Sequence, residues 1–353
     1  MAITATDIAK RVGVSQGTVS SVLTGKGTQA RIAKATQEKI LAMAKALHYR
    51  PSFAGQALVR GQTRSIGFLC GDICNPHFNE LADLAMHEVE KLGFHLVLAV
   101  AKWHTAKNDL EAFDSLLARG VDGVIYFGSA MGKGTAQYAQ IIGEKFPFVS
   151  ITHAIEGLPS IVPDNAPGIN EAVAHFKENG HRRLAYFGTS QSTKEVPLAR
   201  AAKRHGLSLS RHYVTVPPGQ WARVSHFARA AAHQFADLRE RPTAVFVSSD
   251  HLAGAFSCGL WDRGLRIPDD VSVIGYDGTR AGGMMTPPLT SVDAGAETII
   301  RRAVEAVHAQ LENRGAADTG MIAVPTRLVV RESVSTPARC GAAHKPEKEG
   351  RHP

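Results

Sequence analysis

The sequence predicts a small all-α head joined to a larger α/β body of two subdomains, and three observations carry that reading. All of the chain's net charge, +8, resides in residues 1–64, where ten Lys and Arg stand against two Asp and Glu. Inside that segment, apolar positions recur at helical spacing between capping residues. From residue 65 onward, short β-rich runs alternate with amphipathic helical stretches, the pattern of parallel sheets wrapped by helices. A basic head on a neutral body is the charge distribution of a polyanion-binding module attached to a separate domain. A solvated basic surface or a targeting segment would account for the charge but not for the order within it.

Thr4-Ala-Thr-Asp7 has the spacing of a capping box and opens a first short helix with Ile8, Ala9 and Val12 on its apolar face. Gly13 permits a left-handed stop, and Ser15 can cap a second helix that carries Val19, Val22 and Leu23. Two helices so close cannot bury their stripes alone. A third amphipathic segment, Lys34 to Leu47, offers Ile40, Leu41, Ala44 and Leu47 to cover them.

In the body, strands are expected at Ser65–Leu69, His95–Val100, Val121–Phe127, Phe146–Ile151, Leu184–Phe187, Ala244–Val247 and Val271–Tyr276. Helical stretches between them include Asn79–Leu92, Asn108–Arg119 and Leu252–Arg263. At about 270 residues this part is long for one sheet. Pro159 and Pro163 interrupt the pattern and place a division near Ile161 to Asp164. Such sheets bind ligands outside the carboxyl ends of their strands, and two facing sheets make a cleft.

The N-terminus has no long apolar stretch, so neither a signal peptide nor a membrane span is expected, and the protein should be cytoplasmic. That removes a secreted solute-binding protein. Cys70, Cys74, Cys258 and Cys340 show no paired metal-ligand spacing and are expected as free thiols, with no metal and no cofactor. No phosphate loop, zinc-protease motif or nucleophile elbow is present, and Gly128–Gly134 reads as a strand-to-helix loop. His181, between Gly180 and Arg182-Arg183, has a structural reading at a helix-to-strand turn. Nothing assembles a nucleophile, base and orienter, so no enzyme is expected. Ser335 to Pro353 has no apolar period and reads as a disordered tail.

The run Asp7-Ile-Ala-Lys-Arg-Val-Gly-Val-Ser-Gln-Gly-Thr-Val-Ser-Ser-Val-Leu23, with Tyr49-Arg-Pro51 beyond it, resembles the helix-turn-helix of the lactose repressor/galactose repressor family. The resemblance continues through Asn75-Pro-His-Phe78, Arg119-Gly-Val-Asp-Gly-Val-Ile125, Asp164-Asn165, Gly180-His-Arg-Arg183, Ser249-Asp250, Ile267 to Asp277 and Thr286-Pro-Pro-Leu-Thr290. It implies an N-terminal all-α helix-turn-helix head plus an α/β type I periplasmic-binding-protein-like core of two doubly wound subdomains. The implied divisions are residues 1–50 for the head, 51–64 for a hinge, 65–334 for an effector-binding and dimerisation core, and 335–353 for the tail.

The resemblance also implies a homodimer that meets a pseudo-palindromic double-stranded DNA operator, with the second helix in the major groove. The DNA-contacting residues would be Thr4, Ser15, Gln16, Gly17, Thr18, Ser20, Ser21 and Tyr49, then Ser52, Gln56 and Leu58 of the hinge. Gln16 can pair bidentately with adenine. Ser21 stands where the family commonly carries Arg, Gly17 where it has a larger side chain, Ala33 where it often has a capping Ser, and Gly55 where it usually has Ala. Leu58 would be a wedge that unstacks a minor-groove step. Effector contacts would come from Asn75, His77, Phe78, Thr152, Lys194, Trp221, Ser249, Asp250 and Asp277. Here Lys194 replaces a frequent Arg and Thr152 a frequent Asp. The implied function is a repressor controlled by a small molecule such as a sugar, sugar acid or nucleoside. The alternatives are a cytoplasmic solute-binding protein of the same fold and a regulator controlled by a partner protein.

Overall fold

The computed structural model describes residues 3–49, 61–101, 106–128, 130–190, 192–217, 219–312 and 320–337. The chain forms two compact units, Met1–Arg64 and Ser65–Pro353. Ser52, Gln56 and Leu58 of the expected hinge, Cys340 and the chain beyond residue 337 lie outside the described residues.

The head holds α1 (Ala5–Val12), α2 (Gln16–Leu23) and α3 (Lys34–Ala46). The Asp7 amide donates to Thr4 Oγ1 at 3.3 Å while the Thr4 amide donates to Asp7 Oδ2 at 2.9 Å, closing the capping box. The Thr4 hydrogen bonds hold the Asp7 carboxyl below the usual carboxylate range. Gly13, at φ 76°, ends α1 in the left-handed region that favours glycine. Ile8, Ala9, Val19, Val22, Ile40 and Ala44 form the buried core. Leu41 was expected among them and is instead 51% exposed. The inward stripe of α3 is Ile40, Met43, Ala44 and Leu47, and one residue of helical rotation carries Leu41 out of it.

The body has two six-stranded sheets. In the first lobe, β1 (Ser65–Cys70), β2 (His95–Val100), β3 (Gly123–Tyr126), β4 (Phe148–Ile151) and β5 (Ser160–Asp164) are joined by β11 (Met321–Pro325) in the order β11-β5-β4-β3-β1-β2. All of these pairs are parallel. The helices α4 (Pro76–Lys91), α5 (Ala106–Ala118), α6 (Ala136–Glu144) and α12 (Ala296–Glu312) belong to this lobe. One core holds Phe68, Leu81, Ile125 and Val304, and a second holds Leu69, Phe113, Val124 and Phe148. The central strands β1, β3 and β4 are buried along their whole length because both of their faces are covered.

The second lobe holds β6 (Arg183–Gly188), β7 (Ser208–Tyr213), β8 (Ala244–Val247), β9 (Ser272–Asp277), β10 (Thr290–Asp293) and β12 (Arg327–Val329), in the order β12-β10-β9-β8-β6-β7. Only β12 runs antiparallel to its neighbour. Its helices are α7 (Asn165–Glu178), α8 (Glu195–His205), α9 (Val224–Ala236), α10 (Asp250–Asp262) and the short α11 (Arg280–Gly283). Phe176, Tyr186 and Leu198 pack one core, and Phe187, Phe235 and Phe256 the other.

Three features depart from expectation. The proline-punctuated run at Ile161 to Asp164 is itself strand β5. Pro163 is tolerated because β4 pairs only with Ser160 and Ile161, so no ladder partner there requires its missing amide hydrogen. The chain crosses between lobes three times rather than once: from β5 to α7, from β10 to α12, and from β11 to β12. Thr326 stitches two of these crossings. Its hydroxyl donates to the Asp164 carbonyl at 2.7 Å and accepts from the Gly168 amide at 3.0 Å. Gly168 cannot be larger, since a Cβ would lie 2.9 Å from the Arg327 backbone nitrogen and 2.6 Å from Val292. Lastly, Ser335, expected to open the tail, is anchored. Its amide donates to Ser272 Oγ at 3.0 Å, and its carbonyl accepts from Ser272 Oγ and from buried His181.

Cys70 is buried while Cys74 and Cys258 are exposed, and all three are free thiols. No helix among the described residues is long and apolar enough to cross a membrane.

Among the described residues the head has one small core of its own, so it should fail separately from the body. Ile40→Ala, at a fully buried position, should cost about 2–5 kcal/mol and unfold the head alone. Limited proteolysis should then cut within residues 1–64 while the thermal transition of the body stays in place. A cooperative loss of both would contradict the separation.

Candidate functional site

The first candidate surface lies on α2. Ser15 caps it, accepting from the Thr18 amide at 3.1 Å, and Ser15 Oγ and Thr18 Oγ1 lie 2.9 Å apart. Ser15 and Thr18 are therefore engaged with each other. Val19 and Val22 face inward, Gln16 and Gly17 are exposed, and Ser20 and Ser21 are half-buried. Lys10, Arg11, Lys26, Arg31, Lys34, Lys39 and Lys45 are all exposed on the same unit. Tyr49 packs beside the core, its amide donating to the Ala44 carbonyl at 2.9 Å, and Thr4 is occupied by the capping box. Ala33 gives α3 no side-chain cap.

The second site is a cavity of about 410 Å³ within the body, lined by loops that follow the carboxyl ends of strands in both lobes. After β1 come Asn75, His77 and Phe78. Asn75 Oδ1 accepts from the His77 amide at 3.1 Å and caps α4. Phe78 and Phe127 meet edge to face at 4.7 Å. After β4 comes Thr152, at φ 80°. From the other lobe come Lys194, Trp221, Ser249 and Asp277. Trp221 is 37% exposed, sits in a single 3₁₀ turn and offers an aromatic wall. Ser249 lines the cavity and also caps α10 through the Leu252 amide at 3.2 Å.

Asp250 departs from its expected role as a ligand contact. It does not line the cavity. One carboxylate oxygen accepts from Ser291 Oγ at 2.6 Å, and the other from the Thr279 amide and hydroxyl at 2.7 and 2.9 Å. Both oxygens thus fix the loop that carries Asp277. Asp277 ends β9 at φ 111°, a conformation rare for a residue with a side chain, and Gly278 follows at φ 73°.

The electrostatics are those of a site sunk in a low-dielectric wall. Burial pushes the Asp277 carboxyl well above the usual carboxylate range, opposed by the Lys194 ammonium and by a hydrogen bond from the Asp250 backbone. Burial likewise lowers the Lys194 ammonium, against the pull of Asp277 and Asp250. Lys194 Nζ donates to the Ser248 carbonyl at 3.0 Å and lies 4.1 Å from the centre of the Tyr276 ring. His77 is pushed down to about 4 by burial, with the Lys194 charge adding to it. This imidazole is neutral at physiological pH.

The cavity also contains residues that sequence reasoning missed: His153 after β4, Asn165 at the first crossing, Thr189, Ser190, Ser192 and Thr193 after β6, and Tyr276 on β9. The Tyr276 hydroxyl donates to Asn165 Oδ1 across that crossing. The signal that could have found them is position, because each lies at or just beyond the carboxyl end of a strand.

Residues 4–52 match the bacterial regulatory proteins, lacI family, and residues 173–334 match the periplasmic binding protein-like domain. The chain is 30% identical over 330 residues to the ribose operon repressor of Halalkalibacterium halodurans, covering 93% of this chain and 96% of that protein. It is 27% identical over 342 residues to catabolite control protein A of Priestia megaterium, covering 94% and 99%. Among solved structures, the Lac repressor bound to ONPG in the repressed state has a TM-score of 0.78 at 23% identity, covering 95% of this chain and all of that one. With a matching head, a matching body and 30% identity along nearly its whole length, the chain belongs to the LacI family of bacterial regulatory proteins.

Proposed function

We propose that the chain is a homodimeric, cytoplasmic, sequence-specific DNA-binding repressor whose operator affinity is set by a small molecule held between the two lobes of its body, and that it catalyses no reaction. The observation that carries this reading is α2, a capped helix with a polar exposed start, Gln16 and Gly17, on a unit dense in exposed Lys and Arg. A surface of that kind suits phosphate contacts that position the helix and a base-edge contact from Gln16 that specifies it. The names of its relatives, a ribose operon repressor and the Lac repressor, support repression. The ONPG of the latter supports a cavity that takes a small molecule.

Control would follow from differential affinity. A ligand that touches Asp277 and Trp221 on one lobe and His77 on the other favours one degree of closure and shifts the population toward it. Each dimer would then present its two heads at one spacing or the other.

Binding to a pseudo-palindromic duplex should therefore weaken steeply as salt rises. Gln16→Ala should reduce discrimination at one base position by about 1–3 kcal/mol while leaving nonspecific affinity and the salt slope unchanged. A fluorescence titration over several salt concentrations checks both. Leu58 lies outside the described residues, and its assignment as a minor-groove wedge belongs to the same proposal. Leu58→Ala should draw specific and nonspecific affinities together and reduce DNA bending, read by a gel-shift bending assay. Unchanged bending would remove the wedge.

Asp277→Asn should abolish the effector response while sparing operator binding, and Trp221→Ala should do the same. The first variant carries a second, opposite signature. Because the folded chain holds the Asp277 carboxyl above its ordinary value, ionising it opposes folding. That penalty is absent below about pH 4, grows as pH rises toward the raised value, and persists above it. Ligand-free Asp277→Asn should thus melt with wild type at pH 4 and above it at pH 8. A lower melting temperature at pH 8 would show that the ionised carboxylate supports the fold.

A further inference from the structure

We propose that the effector is an anionic monosaccharide, one bearing a carboxylate or a phosphate, whose acid group seats between Lys194 and His153 while its hydroxyls face Asp277. This narrows the ligand class and rests on the reading of the cavity as the effector site.

Lys194 carries the argument. Lys194 lines the cavity, its ammonium is held by one carbonyl at 3.0 Å and by a tyrosine ring at 4.1 Å, and among the described residues it forms no salt bridge. A cation in such a place needs a counter-charge, since burying it unpaired is costly. The two nearest carboxylates are poor candidates. Asp250 has both oxygens occupied by Ser291 and Thr279, and among the described residues neither a hydrogen bond nor a salt bridge joins Lys194 to Asp277, whose charge reaches it only through space. A neutral sugar would leave the ammonium as it is, whereas an acid group completes it.

His153 supplies an independent observation from the opposite lobe. Its Nδ1 is buried and has no hydrogen-bond partner among the described residues, although the residue lines the same cavity. An unsatisfied buried nitrogen is destabilising, and an acid oxygen would accept its proton. His153, His77 and Lys194 line the same cavity, and the Lys194 charge is felt at both imidazoles. Ser190, Ser192 and Thr193 provide hydroxyls around this pole, and Asp277 lies on the same wall to accept sugar hydroxyls. One acid group touching Lys194 and His153 would tie the two lobes together.

The test is calorimetric titration of the full chain with matched pairs: glucose against glucuronate and glucose phosphate, galactose against galacturonate, and ribose against ribose phosphate. At least one acid should bind about tenfold or more tightly than its neutral parent, and the carboxylate and phosphate arms identify which acid group is used. In Lys194→Met that preference should shrink to about twofold or less, with a ligand-free melting temperature at or above wild type. His153→Leu should weaken the acid about tenfold and leave the neutral parent unchanged, a split that a merely structural role would not produce. A neutral sugar binding as tightly as its acid overturns the proposal, as does an undiminished preference in Lys194→Met or the absence of binding by every acid. If neutral sugars bind in those cases, the effector site stands and only the charge assignment falls. If nothing binds and operator affinity ignores every probe, the effector reading falls with it.

Discussion

The Asp250 carboxylate is the constraint on which the binding lobe depends. It sits at the first turn of α10, buried, and accepts three hydrogen bonds from the Thr279 amide, the Thr279 hydroxyl and Ser291. Desolvating a carboxylate is costly, and three donors aimed at its two oxygens oppose that cost without cancelling it, since burial and the nearby Asp277 still hold this carboxyl above the usual carboxylate range. The surrounding backbone is shaped around it. A Cβ at Gly275 would lie 2.3 Å from Asp250 Oδ1, and one at Gly282 would lie 3.0 Å from Oδ2. Thr279 is held by this carboxylate and the Gly278 amide donates to Ser291 Oγ at 3.2 Å, so the turn that places Asp277 on the cavity wall is hydrogen-bonded on both sides.

The same loop reaches the other lobe. The Arg280 amide donates to Glu80 Oε1 at 2.8 Å, and the Arg280 guanidinium lies 3.8 Å from Asp83, both on α4. Helix α4 begins at Asn75 and carries His77 and Phe78 into the cavity. One hydrogen bond and one ion pair from Arg280 thus join the loop that carries Asp277 to α4.

Sequence alone reveals what is local. The capping box at Thr4 and Asp7, the Gly13 stop and the Ser15 cap each involve residues three or four apart, and all are legible in order. Strands β1, β8 and β9 are legible because both of their faces are buried, which makes them continuous apolar runs. Strand β7, Ser-Leu-Ser-Arg-His-Tyr, is an edge strand whose polar composition hides it. Strands β10, β11 and β12 are short, and β11 finds its partner in β5 across more than half the body. At the site, Lys194, Trp221 and Asp277 were reached through family resemblance, whereas His153 and the residues after β6 become visible only when the strands are laid side by side. Asp250 marks the limit of such reading. Whether a carboxylate faces a cavity or a threonine 29 residues away is decided by tertiary packing.

The three crossings also bear on how the chain is made. Residues 321–329 supply edge strands to both sheets in immediate succession, and α12 returns to the first lobe after the second has been traced. Neither lobe is a contiguous stretch of sequence. A nascent chain leaving the ribosome can finish the head early, because its contacts are short in sequence, but both sheets wait for the last strands to arrive. Until then β5 and β10 each expose an unpaired edge. The head would thus be competent for its polyanion before the body that governs it is complete, and the interval between the two is fixed by where β11 and β12 lie in the sequence.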